Sequence, residues 1–226
     1  MDLDDAESRH VGGSRRLRVG DSVILFDGQG READGMLIGV SSRRVTVRVP
    51  QVRLVAVASP RTLMLAVSPP KQGRQDDLVE KCTELGVRIL QPIHAHRTVN
   101  EVTPERIERW RRVSIAAAKQ SQQAWLPEIR RPLSPAALIG AAAAHDLRIL
   151  ADPSPDAVPL MSWLARHRHA TGSVLALIGP EGGFTDEERA QALAGGFVPC
   201  RLTPTILRVE TAAVAVAALV LCAESG

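Results

Sequence analysis

Residues 177–188 read LIGPEGGFTDEE, and the reading of this stretch decides the fold. An apolar run over 174–178 stops at Gly179. Pro180, Glu181, Gly182 and Gly183 follow, and then Thr185 with Glu188 three positions on. A threonine and a glutamate at that spacing form a capping box, which fixes where a helix begins. The stretch therefore reads as a buried strand, a tight glycine turn and a helix, the repeating unit of a parallel α/β sheet. Ligands of such sheets bind outside the carboxyl ends of the strands, where glycines let the backbone come close. No Gly-Lys-Ser/Thr follows and no G-x-G-x-x-G is present, so neither phosphate-binding nor dinucleotide-binding signatures apply. Glu181 would repel a phosphate. A ligand with hydroxyls, an amine or a positive centre suits it, and so does a tight turn with no ligand.

Working outward, strand and helix patterns alternate from residue 61 onward. Strands are expected at 63–67, 87–90, 147–151 and 174–178, and helices at 76–85, 103–123, 159–167, 185–194 and from 209. Before residue 58 the pattern is of short strands, at 22–26, 33–40, 45–49 and 52–57, as in a small barrel or sandwich. Pro60 marks the boundary between the two patterns.

The composition, 45% hydrophobic and 23% charged with a net charge of +3, is that of a globular protein. Of 28 basic residues only Lys71, Lys81 and Lys119 are lysine. Arginine suits phosphate recognition, although a GC-rich genome gives the same bias. Cys82, Cys200 and Cys222 are scattered, which points away from disulfides and zinc and toward a reducing cytoplasm. His94, His96, His167 and His169 have no cysteine near them, and no metal site is expected. No signal segment opens the chain, and the apolar stretch 212–223 is too short to span a bilayer. Trp110, Trp125 and Trp163 read as core.

A second unusual stretch is LTPTILRVETAAVAVAALV, residues 202–220. Arg208 and Glu210 stand just before or at the start of a strongly apolar helix. Glu210 favours the positive end of a helix dipole, and Arg208 then needs a partner or a ligand. A purely structural Arg208–Glu210 pair is the alternative.

The two stretches together closely resemble the signature of the ribosomal small subunit methyltransferase E family. The resemblance extends to KQGRQDDLVEKCTELGV (71–87), to RWRRVSIAAAKQSQQAWLPEI (109–129) and, more weakly, to RRLRVGDSVILFDGQG (15–30). It implies an α/β fold: a SPOUT-like, trefoil-knotted parallel-sheet domain over 61–226, preceded by a small PUA-like β-barrel domain over 1–60 that binds RNA. It implies S-adenosylmethionine as cofactor, methylation of N3 of a uridine in small-subunit (16S) ribosomal RNA or the assembled small subunit, and a cytoplasmic homodimer to which the last helix contributes.

Carried over by motif, the cofactor is expected at Leu177, Ile178, Gly179, Pro180, Glu181, Gly182, Gly183, Leu202, Pro204, Ile206 and Leu207. Arg208 is expected to stabilise charge on the base, with Glu210 orienting it. Glu181 is the candidate proton acceptor or a loop brace. RNA contact is expected from Arg15, Arg16 and Arg18, and from Arg109, Arg112 and Lys119 on a helix whose buried stripe is Ile107, Trp110, Ile115 and Ala118. The chain departs from the family pattern at its N-terminus, where only His10 stands near the place of a His-His pair. It departs again at Gln122 and Gln123, where an arginine is common, and at Thr203 and Thr205, in place of glycine and arginine. Two other readings fit the same motifs, a knotted methyltransferase for another RNA position and a non-catalytic RNA-binding assembly factor.

Overall fold

The computed structural model describes residues 1–14, 17–41, 43–57, 59–167 and 172–222. The chain divides into two compact units, Met1–Val57 and Ala58–Gly226.

In the first unit, helix α1 (Asp5–Ser14) precedes four antiparallel strands, β1 (Ser22–Phe26), β2 (Arg31–Val40), β3 (Val45–Arg48) and β4 (Arg53–Leu54), with β2 pairing all three others. Alternation along β2 turns Ala33, Gly35 and Leu37 inward and leaves Asp34, Met36 and Ile38 exposed. Leu37, Val45 and Val47 form the core with Val11 of α1. The strand expected over 52–57 pairs only at Arg53 and Leu54, both exposed, and nothing in the sequence reading anticipated α1.

In the second unit, seven strands run parallel in the order β7-β6-β5-β10-β8-β11-β9. They are β5 (Arg61–Val67), β6 (Ile89–Pro92), β7 (Glu128–Ile129), β8 (Leu147–Ala151), β9 (Val158–Pro159), β10 (Gly172–Ile178) and β11 (Val198–Arg201). The helices are α2 (Gln75–Glu84), α3 (Pro104–Ser121), α4 (Pro135–Ala141), α5 (Leu160–Arg166), α6 (Asp186–Ala194) and α7 (Val209–Cys222). A parallel sheet must be covered on both faces, so its central strands are apolar throughout. On β5, Leu63, Leu65 and Val67 join a core with α2, α3, α5 and α7. Met64 and Ala66 join a second core with Leu138 of α4 and Ala192 of α6. β10 divides the same way, with Val174, Ala176 and Ile178 on the first face and Leu175 and Leu177 on the second.

Caps set the helix limits. The Thr103 side chain accepts from the backbone N–H of Arg106, and α3 ends at Gln122, which adopts the left-handed conformation at φ 56°. The expected stripe on α3 is corrected at one position. Ser114 takes the buried place and Ile115 is 36% exposed. Counting from Trp110, a 3.6-residue period returns to 114 rather than 115. Among the described residues no helix is long and apolar enough to cross a membrane.

Candidate functional site

The carboxyl ends of β8, β10 and β11 open into one cavity of about 380 Å³. Residues 150–153 wall it after β8, 178–184 after β10, and 202, 203 and 205–207 after β11, with Arg189 of α6 and Val209 and Ala212 of α7. Thus the two motif stretches meet. Two of the residues expected against a cofactor do not line the space: the Leu177 side chain is buried in the second core, and Pro204 is exposed outside the wall.

The glycine loop is held at several points. The backbone N–H of Gly183 donates to the Pro180 carbonyl at 2.8 Å, and Gly183 takes φ +71°, a conformation that favours glycine. At Gly179 the reason for glycine is space, because a Cβ would fall 2.8 Å from Cε2 of the Phe184 ring. From the loop after β6, Arg97 Nη1 donates to the carbonyls of Gly182 (2.8 Å) and Phe184 (3.4 Å). The capping box forms: Glu188 N–H donates to Thr185 Oγ1 (3.2 Å), and Thr185 N–H donates to Glu188 Oε2 (2.9 Å). Glu188 Oε1 also accepts from the backbone N–H of His96 at 2.8 Å.

Across the cavity, Asp152 Oδ1 accepts from Ser154 N–H (2.9 Å) and Oγ (2.6 Å), and Oδ2 accepts from Arg189 Nε (2.8 Å). Burial acts to raise the Asp152 pKa. The hydrogen bonds from Ser154 and Arg189 outweigh it and hold the carboxyl below the usual aspartate value.

On the other flank of the glycine loop lies a charged cluster. Glu181 sits 3.4 Å from Lys71 Nζ and 3.5 Å from Arg74 Nη1, and Arg74 Nε is 3.4 Å from Glu210 Oε1. Glu210, expected to orient Arg208, meets Arg74 instead. Residues two apart at a helix start do not face each other. Arg208 is exposed, and among the described residues its side chain has no partner. Sequence reasoning did not assign Lys71, Arg74, Asp152, Phe184 or Arg189. The two bases in the loop KQGR and the Asp-x-Ser turn at 152–154 were the signals available.

Of the expected RNA contacts, Arg15 and Arg16 lie outside the described residues. Arg18, Arg112 and Lys119 are exposed. Arg109 is exposed but engaged, its Nε 2.8 Å from Asp76 Oδ2. Trp110 and Trp163 are buried, while Trp125 carries the Arg88 guanidinium 4.0 Å above its ring. Among the described residues no three His, Cys, Asp or Glu side chains converge as a metal site, and His169 lies outside them.

The family model of an RNA methyltransferase domain matches residues 57–221, and that of an RNA methyltransferase PUA domain matches residues 3–50. A ribosomal RNA small subunit methyltransferase E of Mycobacterium bovis is 32% identical over 93% of this chain and 82% of its own. The chain belongs to the ribosomal RNA small subunit methyltransferase E family. The family member of Synechocystis is 30% identical over 87% of this chain, and the match spans 64% of the relative's own length. Among solved structures, the family member of Neisseria gonorrhoeae bound to S-adenosylmethionine superposes with a TM-score of 0.88 at 28% identity, covering 96% of this chain and 89% of its own. A Legionella pneumophila methyltransferase in complex with the same cofactor gives 0.87 at 28% identity, over 99% and 91%.

Proposed function

We propose that the chain is an S-adenosylmethionine-dependent methyltransferase that modifies N3 of a uridine in small-subunit ribosomal RNA. The observation that carries this is the convergence of residues 178–184 with 202, 203 and 205–207, separated in sequence by α6 and β11, on one cavity. The cavity suits that cofactor. Its volume of about 380 Å³ falls within the roughly 300–1,000 Å³ of small-molecule sites. Leu150, Leu202, Ile206 and Leu207 offer apolar walls to an adenine, the glycine loop offers backbone donors and acceptors, and the carboxylates of Asp152 and Glu181 suit a positive centre. Bound there, S-adenosylmethionine supplies a methyl group made electrophilic by its sulfonium.

The chain's own residues have three tasks. Loss of the N3 proton spreads negative charge onto the flanking carbonyl oxygens of the base, and one well-placed cation stabilises such charge by roughly 3 kcal/mol. Arg208 has that role in our reading, supported by its position between the cavity wall and α7 and by its exposed guanidinium without a partner among the described residues. The ion pairs of Glu181 with Lys71 and Arg74 support the bracing role for Glu181 over proton acceptance, because protonation would forfeit both. Glu210 holds Arg74. The base must leave its stack to reach Arg208, which favours a single-stranded site.

The RNA is engaged through Arg15, Arg16 and Arg18 of a PUA-like RNA-binding domain over 1–60, and through Arg112, Lys119 and Arg109 of the catalytic domain over 61–226, with Arg109 exchanging Asp76 for a phosphate. The insertion of β10 between β5 and β8, with α7 packed back on β5, supports the knotted topology. Half-buried Val214, Ala215 and Ala218 on α7 and the 85% exposed Ile206 support pairing as a homodimer, and the ribosomal RNA substrate of this reading puts the protein in the cytoplasm.

The test is transfer of a labelled methyl group to undermethylated small subunits, with the product base mapped by mass spectrometry. Label at uridine N3 is the expected result. Label on a ribose 2′-oxygen would reassign the target. Cofactor binding without transfer would make the chain an assembly factor.

A further inference from the structure

Two strand-end segments and the start of a helix in the second unit meet through one guanidinium. Arg74 closes the 3-10 turn Gln72–Arg74 between β5 and α2. It reaches Glu181 in the loop after β10 and Glu210 in the first turn of α7, at 3.5 and 3.4 Å. The segment that carries it is anchored. Gln75, 1% exposed, donates Nε2 to the Pro70 carbonyl at 2.9 Å, and Asn100 Nδ2 donates to the same oxygen at 3.2 Å. The two carboxylates differ in what else they have. Glu181 also meets Lys71 at 3.4 Å. Glu210, with a side chain 16% exposed, has its Oε2 buried and without a hydrogen-bond partner among the described residues. Among the described residues, Arg74 is therefore the cation that offsets Glu210, and one of two that offset Glu181.

We propose that Arg74 is a positioning residue for the cofactor cavity, tying the glycine loop to the start of α7 so that both walls stand ready before the ligand arrives. The proposal rests on the reading of the cavity as the S-adenosylmethionine site. Its physical content is a cancellation of charge. Without the guanidinium, Glu210 is a largely buried charge with no counter-ion among the described residues, on the element that supplies Val209 and Ala212 to the cavity, and it repels Glu181 of the glycine loop, which shares the same guanidinium. Removing one partner of a buried pair is costly because the other charge is left behind. Removing that second charge as well should restore much of what was lost.

The experiment is calorimetric titration of S-adenosylmethionine, without RNA, into the full chain and into R74Q, R74K and R74Q/E210Q, with thermal unfolding followed on each. R74Q is expected to bind about tenfold more weakly or worse, the range of coupling within a charged network. R74K recovers part of the loss, and R74Q/E210Q binds more tightly than R74Q. An R74Q chain too unstable to titrate that E210Q returns to a folded, cofactor-binding protein supports the proposal equally. Wild-type affinity in R74Q overturns it and leaves the cofactor reading intact, as does R74Q that binds normally but fails to methylate RNA, a result that would place Arg74 on the substrate. A double variant no better than R74Q also overturns it. A wild-type chain that takes up no cofactor overturns the cofactor reading itself.

Discussion

Replacing Gly179 by alanine puts a methyl carbon 2.8 Å from Cε2 and 2.9 Å from Cδ2 of the Phe184 ring. Carbon atoms prefer about 3.5–4.0 Å, so the ring must move. Gly179 does not have a positive φ, and its backbone accepts alanine without strain. The whole cost is the displaced ring. Phe184 packs against the second core on one side and borders the cavity on another, so displacement takes volume from the cavity. Forcing an extra carbon into a packed site costs about 1–3 kcal/mol. Set against cofactor binding at about 1.4 kcal/mol per tenfold, that is a loss of roughly 5- to 150-fold in affinity. Calorimetric titration of S-adenosylmethionine into G179A, F184A and G179A/F184A separates the causes. With the ring removed, the alanine has nothing to displace, and the double variant is expected to bind as F184A does. Wild-type affinity in G179A, or an equal loss with and without the ring, would refute the steric argument. G183A is the contrast. Its Cβ meets nothing within 4 Å but its φ is +71°, so it costs about 1–2 kcal/mol of backbone strain whether or not Phe184 is present.

R208A is expected to leave melting temperature and cofactor affinity unchanged and to lower methyl transfer by about 100-fold or more; turnover like that of wild type would remove Arg208 from the chemistry. The folded Asp152 carboxyl is held below its usual value, so it stabilises the protein above the unfolded pKa near about 3.9 and loses that contribution as pH falls through the folded value. D152N should therefore melt below wild type by a constant margin above about pH 5, a gap that closes below about pH 4; a gap that persists undiminished at pH 3 would show that packing, not charge, is its origin. Burial pushes the thiols of Cys82 and Cys200 up to about 12, while Cys222 is exposed. A thiol reagent at neutral pH should modify one cysteine quickly and the other two only on unfolding; fast modification of more than one in the native protein would contradict the packing of β11 and α2.

The strands and helices that were legible in the sequence are those whose own residues carry the signal. The apolar run of β10 and the Thr185–Glu188 box of α6 settle the strand-turn-helix unit locally, and β5, β8 and α7 are long and apolar enough to read the same way. What was missed is short or weakly patterned. α1 contains two adjacent glycines in its ten residues. β7 and β9 are two residues each and exist through pairing with β6 and β11. β11 carries a proline and is fixed by its register on β8. Pairing of that kind depends on strands distant in the chain, and no window of sequence displays it.

The same division runs through the site. The two loops announced themselves by composition, since glycine, proline and a lone carboxylate at a strand end are unusual wherever they stand. Their partners did not. Adjacency in sequence pointed Glu210 at Arg208, yet strand order decides which charges meet. β10 lies between β5 and β8, so the loop after it has two different neighbours. On the β5 side, Lys71 and Arg74 come up against Glu181. On the β8 and β11 side there is open cavity, walled by Leu150, Asp152 and residues 205–207. A carboxylate among glycines is tolerable there because one neighbouring strand delivers its counter-charge, and useful because the other leaves space for a ligand. The sheet order turns Glu181 from an isolated charge into the boundary between a cationic brace and a binding cavity. A change that reversed the sign at residue 74 would therefore damage the cavity although residue 74 does not itself line it.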